Sequence, residues 1–201
     1  VRLWDDLEED PYSGNWSYGR LDQFQSHWNE HMTEVERHTA HLLSAVQDGV
    51  IGGVAWLPGL CDPVYGYGLS AYLTGGFPCA AVDEDGNCIE LVSNDAGNWD
   101  LMVMAHELGH NFGAPHTHDI GFDGCGYGDC TRKDHGTIMS YCHGCPDGLL
   151  NIELTLATID PPLPDIVTDY ILPYLAVADC ELSSGGEAIE FTDHPDNVRT
   201  C

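Results

Sequence analysis

The 201 residues are 43% hydrophobic and 19% charged, a globular composition, and no run approaches the roughly 20 apolar residues of a membrane span. Against 33 Asp and Glu stand 6 Lys and Arg, a formal net charge of −27; such a surface repels nucleic acid and anionic membranes and suits solubility in salty surroundings. Nine cysteines fit an oxidising compartment, which makes secretion the expectation, and their odd number leaves one free or paired outside this chain.

The opening "VRLWDDLEED" has neither a basic nor an apolar leader segment, the expectation for a mature form or an excised domain, and the chain stays turn-rich through about Arg20. From Leu21 to Val46, the residues Phe24, Trp28, Met32, Val35, Leu42, Leu43 and Val46 recur at three- and four-residue steps, which predicts one helix. Two strand-like runs follow, "GVIGGVAWL" and "YGYGLSAYLT", parted by the turn around "PGLCDPV". "CAAVDEDGNCIELV" reads as a hairpin with Asp85-Gly86 in its turn and Cys79 and Cys88 on opposite arms, placed for a disulfide. "NWDLMVMAHELGHNF" is helical and stops at Gly113, a natural left-handed end. Loops rich in Gly and Cys fill 117–148. A last helix, "LPDIVTDYILPYLAVADC", carries Pro173, which predicts a kink or interruption. The stretch 181–201 is small, polar and acidic, and reads as a tail or linker.

Four histidines crowd into "HELGHNFGAPHTHD". On a helix, His106 and His110 are one turn apart and project from one face, so both imidazoles reach one ion. Glu107 is offset from that face and can reach a water on the ion without ligating it. This H-E-x-x-H pattern is the zinc hydrolase signature: zinc lowers the pKa of its water toward ~7, and the carboxylate takes the proton as the water attacks a carbonyl. Gly113 lets the chain turn back and deliver His116 as a third ligand. Three protein ligands leave a fourth position open, the mark of a catalytic Zn2+ site. His118 is left outside the coordination sphere.

The complete pattern H-E-x-x-H-x-x-G-x-x-H, met at His106, Glu107, His110, Gly113 and His116, resembles that of the metzincin metallopeptidases. "GTIMSYCHG" supplies the methionine turn of that family, with Met139 lying 23 residues beyond His116 as a packing floor beneath the ligands. Tyr141 matches the tyrosine that astacin-like and serralysin-like members use to ligate zinc and hold the oxyanion; a wall of the substrate pocket is the other reading. Elsewhere, over about residues 21–180, the chain is most similar to the adamalysin (reprolysin) branch. "VERHTAHLLSAV" resembles a helix of that branch, and "IGGVAWLPGLCDPVYGYGLSAYLT" its strand, cysteine turn and edge strand. The resemblance implies that Gly68, Leu69, Ser70 and Ala71 form an edge that pairs with an extended peptide. It also implies a Cys61–Cys180 disulfide. Cys125, Cys130, Cys142 and Cys145 allow three pairings, and Cys201 is left as the odd cysteine. Two departures set the chain apart. Adamalysins usually carry Asp directly after the third histidine, where this chain has Thr117 with Asp119 later, and Tyr141 stands where they have proline.

His27 with His31, and His38 with His41, share helical spacing but lack a glutamate and a convergent third ligand, so a polar face is the better reading. "DEDGN" at 83–87 has its glycine at the fourth position, not the sixth of an EF-hand loop; a solvated turn is expected, with Ca2+ as the alternative. The expectation is an α/β fold: a twisted mixed sheet of about five strands, two long helices, and a smaller C-terminal subdomain with the terminal helix. One domain spans 1–180, divided at about Gly113 into upper (1–113) and lower (114–180) parts. The expected function is a secreted, monomeric zinc metalloendopeptidase acting on polypeptide substrates with Glu107 as general base. The rival is an inactive extracellular binding module on the same scaffold.

Overall fold

The computed structural model describes residues 11–12, 17–46, 52–76, 79–91, 98–158, 160 and 162–180. Helix α1, Ser17–His31, turns Leu21 and Phe24 inward onto a cluster with Tyr12, Ala40, Tyr67, Leu69 and Ala71. The helix stops there and does not run on to Val46, because Ala40–Leu43 is strand β1, hydrogen-bonded in parallel to Tyr67–Ser70. The segment that resembles a helix of the adamalysin branch holds no helix: Ala40–Leu43 are strand and the residues on either side, 35–39 and 44–46, are irregular. Leu42, Leu43 and Val46 keep helical spacing, but so short a run does not settle the element, and pairing with a neighbouring strand decides it.

Gly53–Ala55 forms β2 and Tyr67–Ser70 forms β3, in a sheet of order β1-β3-β2, with β2 antiparallel to β3. This corrects the expected edge. Gly68, Leu69 and Ser70 pair on both sides and Ala71 is buried beyond them, so among the described residues β3 is the middle strand and β1 and β2 are the outer ones. β4, Cys79–Val82, and β5, Cys88–Leu91, form a separate antiparallel hairpin. Among the described residues the five strands thus form one sheet of three and one of two, not the single sheet expected. The hairpin leaves Val82 59% and Ile89 66% exposed and is stapled by Cys79–Cys88, so it does not depend on packing against the larger sheet. Asp83 closes its turn by accepting the amides of Asp85 and Asn87.

Helix α2, Trp99–Asn111, packs against β2 and β3. Its other side meets two further clusters, Met102 with Cys125, Cys142, Cys145 and Ile152, and Ala105 with Met139, Ile166 and Ile171. Asp100 in its first turn accepts the amides of Thr74 and Gly75, and Trp99 Nε1 donates to Ala71 O at 3.1 Å, so the chain after β3 is tied to the helix start. At the other end Asn111 is fully buried. Its Nδ2 donates to Trp56 O and Tyr67 O, both at 3.0 Å, and its carbonyl accepts the amides of Gly59 and Leu60. Gly113 turns the chain at φ +91°, with Tyr174 packed where a side chain would stand.

The expected last helix is broken. Val167–Ile171 is a π-turn that passes into a short helix α3, Leu172–Leu175, with Pro173 near its start. A proline has no N–H to close the regular ladder, which gives the local reason for the wider turn. Four disulfides join Cys61–Cys180, Cys79–Cys88, Cys125–Cys142 and Cys130–Cys145. The first closes a separation of 119 residues and so restricts the unfolded chain most. Cys201 and the rest of 181–201 lie outside the described residues. No helix among the described residues is long and apolar enough to cross a membrane.

Candidate active site

The helical spacing brings His106 and His110 together on α2, and the turn at Gly113 returns His116 to them. The Nε2 atoms of His106 and His110 are 3.2 Å apart, and those of His110 and His116 are 3.0 Å apart. Ligand atoms on a tetrahedral ion at roughly 2.05 Å stand about 3.3 Å from one another, so this donor set fits such an ion. The opposite ring nitrogens are occupied. His106 Nδ1 donates to Ile138 O at 2.6 Å and His110 Nδ1 to Ala114 O at 2.8 Å, which leaves each Nε2 lone pair for a metal. Asp119 Oδ2 lies 3.5 Å from His116 Nδ1. Burial holds all three imidazoles below their usual range, His116 down to about 4, and so keeps them neutral.

Glu107 is buried beside the histidines, and its Oε2 has no hydrogen-bond partner among the described residues. Burial pushes its carboxyl up to about 8. A buried carboxylate oxygen without a partner is costly on its own, and an adjacent cation or water removes that penalty. Its place is made by β2: a Cβ on Gly53 would fall 2.3 Å from Glu107 Oε1.

Met139 is 0% exposed beneath α2, and a Cβ on Gly109 would meet its Sδ at 2.5 Å. Thr117 ties the ligand loop to the same floor, its amide donating to Met139 O at 3.1 Å and its hydroxyl to Asp123 Oδ2 at 2.5 Å. Tyr141 lies over the histidines, 5.8 Å from the His106 ring and 4.5 Å from that of His116. Burial, and then the charge of Glu107, raise its phenol to about 12, so it remains a hydrogen-bond donor. Beside the histidines opens a cavity of about 350 Å³, lined among others by Gly53, Trp99, Met102, Glu107, Tyr141 and His143.

A family model described as metallo-peptidase family M12, of the reprolysin type, matches residues 3–150. The chain belongs to metallo-peptidase family M12. It is a metallopeptidase, with a metal cofactor implied by its family and polypeptide as its class of substrate.

In this M12 peptidase the expected residues His106, Glu107, His110, His116, Met139 and Tyr141 come together, whereas Gly68–Ala71 lie within the sheet. Of the early histidine pairs, His38 and His41 turn to separate partners, His38 Nε2 to Cys180 O and His41 Nε2 to Ser70 Oγ, while the His27 and His31 rings lie 5.2 Å apart with no third metal-binding group beside them among the described residues. His118 stacks on His116 with ring centroids 4.9 Å apart and planes 12° from parallel. Sequence reasoning missed the roles of Gly53, Gly109 and Asn111. The signal was present in "IGGVA" and in "HELGHN", where small or amide residues adjoin the motif, but only the packing says what they make room for.

Proposed function

We propose that this M12 peptidase is a secreted zinc endopeptidase that cleaves extended polypeptides. The observation that carries the reading is the convergence of three outward-free Nε2 atoms beside an unpartnered, buried Glu107 oxygen. His106, His110 and His116 would hold the ion, which when bound supplies Lewis acidity toward a carbonyl and makes a water acidic enough to attack near neutral pH. The nearby positive charge favours the ionised form of Glu107, reversing the effect of burial. Glu107 then takes a proton from the attacking water and delivers one to the leaving amine. Tyr141, protonated and placed over the histidines, is the donor to the developing oxyanion.

The peptide-pairing role expected of β3 passes to β2. That strand is one of the two outer members of the three-stranded sheet among the described residues, and it is the one whose Gly53 lies against Glu107. A peptide added to that edge is bound through its backbone, with little regard for its side chains. The adjoining cavity, whose described lining has Glu107 as its one carboxylate and neither Lys nor Arg, favours an uncharged, bulky side chain. Four disulfides among the described residues support the extracellular assignment. The test is digestion of an unbiased peptide library by zinc-loaded protein beside a chelator-treated control. Chelator-sensitive cuts next to uncharged, bulky residues are expected, and cleavage unaffected by chelator would overturn the reading.

A further inference from the structure

The three ligands are not held alike. His106 and His110 are 4% and 6% exposed, and each is anchored by a backbone carbonyl. His116 lies past the Gly113 turn with its side chain 23% exposed, and the Asp119 carboxylate, not a carbonyl, faces its Nδ1 at 3.5 Å. That carboxylate is itself braced: Tyr127 Oη donates to Asp119 Oδ1 at 3.1 Å, and His118 Nε2 lies 3.7 Å from the same oxygen. The arrangement follows from the local turn, in which the Asp119 amide donates to His116 O at 3.1 Å and folds the carboxylate back toward the ring. Thr117, directly after the third histidine, is turned inward to Asp123 and Met139 and is fully buried, so it is not free to do this.

We propose that Asp119 is the positioning residue of the third metal ligand, a carboxylate that fixes the tautomer and direction of His116 through Nδ1. This rests on the metal-site reading given above. A carboxylate in that place makes the imidazole a better donor than a carbonyl does and keeps Nε2 aimed inward. The turn over His118 is built to match. A Cβ on Gly126 would fall 2.3 Å from the His118 ring, so the glycine lets Tyr127 come round to Asp119. The ligand atoms of His116, His118 and Asp119 lie within 4.8 Å of one another, but the ring geometry does not suit a second ion there. The two rings are stacked within 12° of parallel, and an ion in the plane of one lies well off the plane of the other.

The test is metal affinity, read by competition with a chromophoric chelator, together with the visible spectrum of the cobalt-substituted protein. Asp119→Ala should weaken zinc binding about 10- to 100-fold and shift the cobalt bands. Asp119→Asn, which keeps an acceptor oxygen but not the charge, should fall between Ala and wild type, and Tyr127→Phe should weaken binding less than Asp119→Ala. Wild-type affinity and an unchanged cobalt spectrum in Asp119→Ala would overturn the proposal. If Asp119→Ala fails to fold, wild-type affinity in Asp119→Asn does so. A failure of the enzymatic reading looks different: wild-type protein would bind one zinc and cleave nothing, whatever residue 119 is.

Discussion

Met139 Sδ sits so close under Gly109 that a methyl group added there would lie 2.5 Å from the sulfur. Gly109 lies between Glu107 and His110, so the floor of the candidate site presses directly on the backbone that carries the proposed base and ligands. Gly109→Ala should destabilise the metal-loaded protein by about 1–3 kcal/mol through overpacking, although alanine is the better helix former by about 1 kcal/mol. Urea unfolding of wild type and variant checks this, and a stabilised variant would show that Met139 is free to move aside.

Gly53 and Glu107 stand in the same relation across the sheet. A Cβ at residue 53 would fall 2.3 Å from Oε1 and 2.6 Å from Cγ of Glu107. Gly53→Ala should displace the base without touching a ligand. Zinc content should stay at wild-type level while kcat falls about 100-fold, the scale of a small misplacement in a catalytic site. Parallel metal analysis and steady-state kinetics separate the two effects.

Asn111 links α2 to the loop between β2 and β3. Its side chain donates to Trp56 O and Tyr67 O and accepts from Thr39 Oγ1 at 3.2 Å. Asn111→Ala takes the side-chain donor from Trp56 O, leaves Tyr67 O with only the Trp56 amide, and should cost about 1–3 kcal/mol. Asn111→Asp keeps the shape but sets a carboxylate against both carbonyls, so it should be worse than alanine. Thermal unfolding of both variants gives the order.

The site was legible because its chemistry fixes spacing. His106, Glu107 and His110 need one helical turn, His116 needs a chain reversal, and Gly113 supplies it. The β4–β5 hairpin was legible for a similar reason, since its turn residues and both cysteines are local. Pairing between distant segments was not. Ala40–Leu43 carries the spacing of a short helix, and only Tyr67–Ser70 alongside makes it a strand. Which strand lies outermost depends on pairing order, which no local pattern encodes, so the edge was placed on Gly68–Ala71 and not on Gly53–Ala55. The proposed role of Asp119 has no local sequence signal, because only the turn after His116 brings its carboxylate to Nδ1.

Metal-free protein should show a pH signature of Glu107. Burial raises its carboxyl from 4.5 to about 8, so its contribution to folding is fully present below pH 4.5 and is lost as pH rises toward 8, at about 1.4 kcal/mol per pH unit. His116 acts oppositely: lowered from 6.5 to about 4, it removes stability as pH falls from 6.5 toward 4. Metal-free wild type should therefore lose stability from pH 6.5 to 8, and metal-free Glu107→Gln should lose less over the same interval. Equal slopes would show that Glu107 ionises as easily in the folded state as in the unfolded one.

The most direct measurement of the central claim pairs zinc content with peptide turnover in wild type and Glu107→Gln. Both proteins should hold one zinc per chain, and the variant should lose turnover by several orders of magnitude, because the ligands are intact and only the proton carrier is gone. A zinc-loaded variant that still cleaves peptides at close to the wild-type rate would contradict the account.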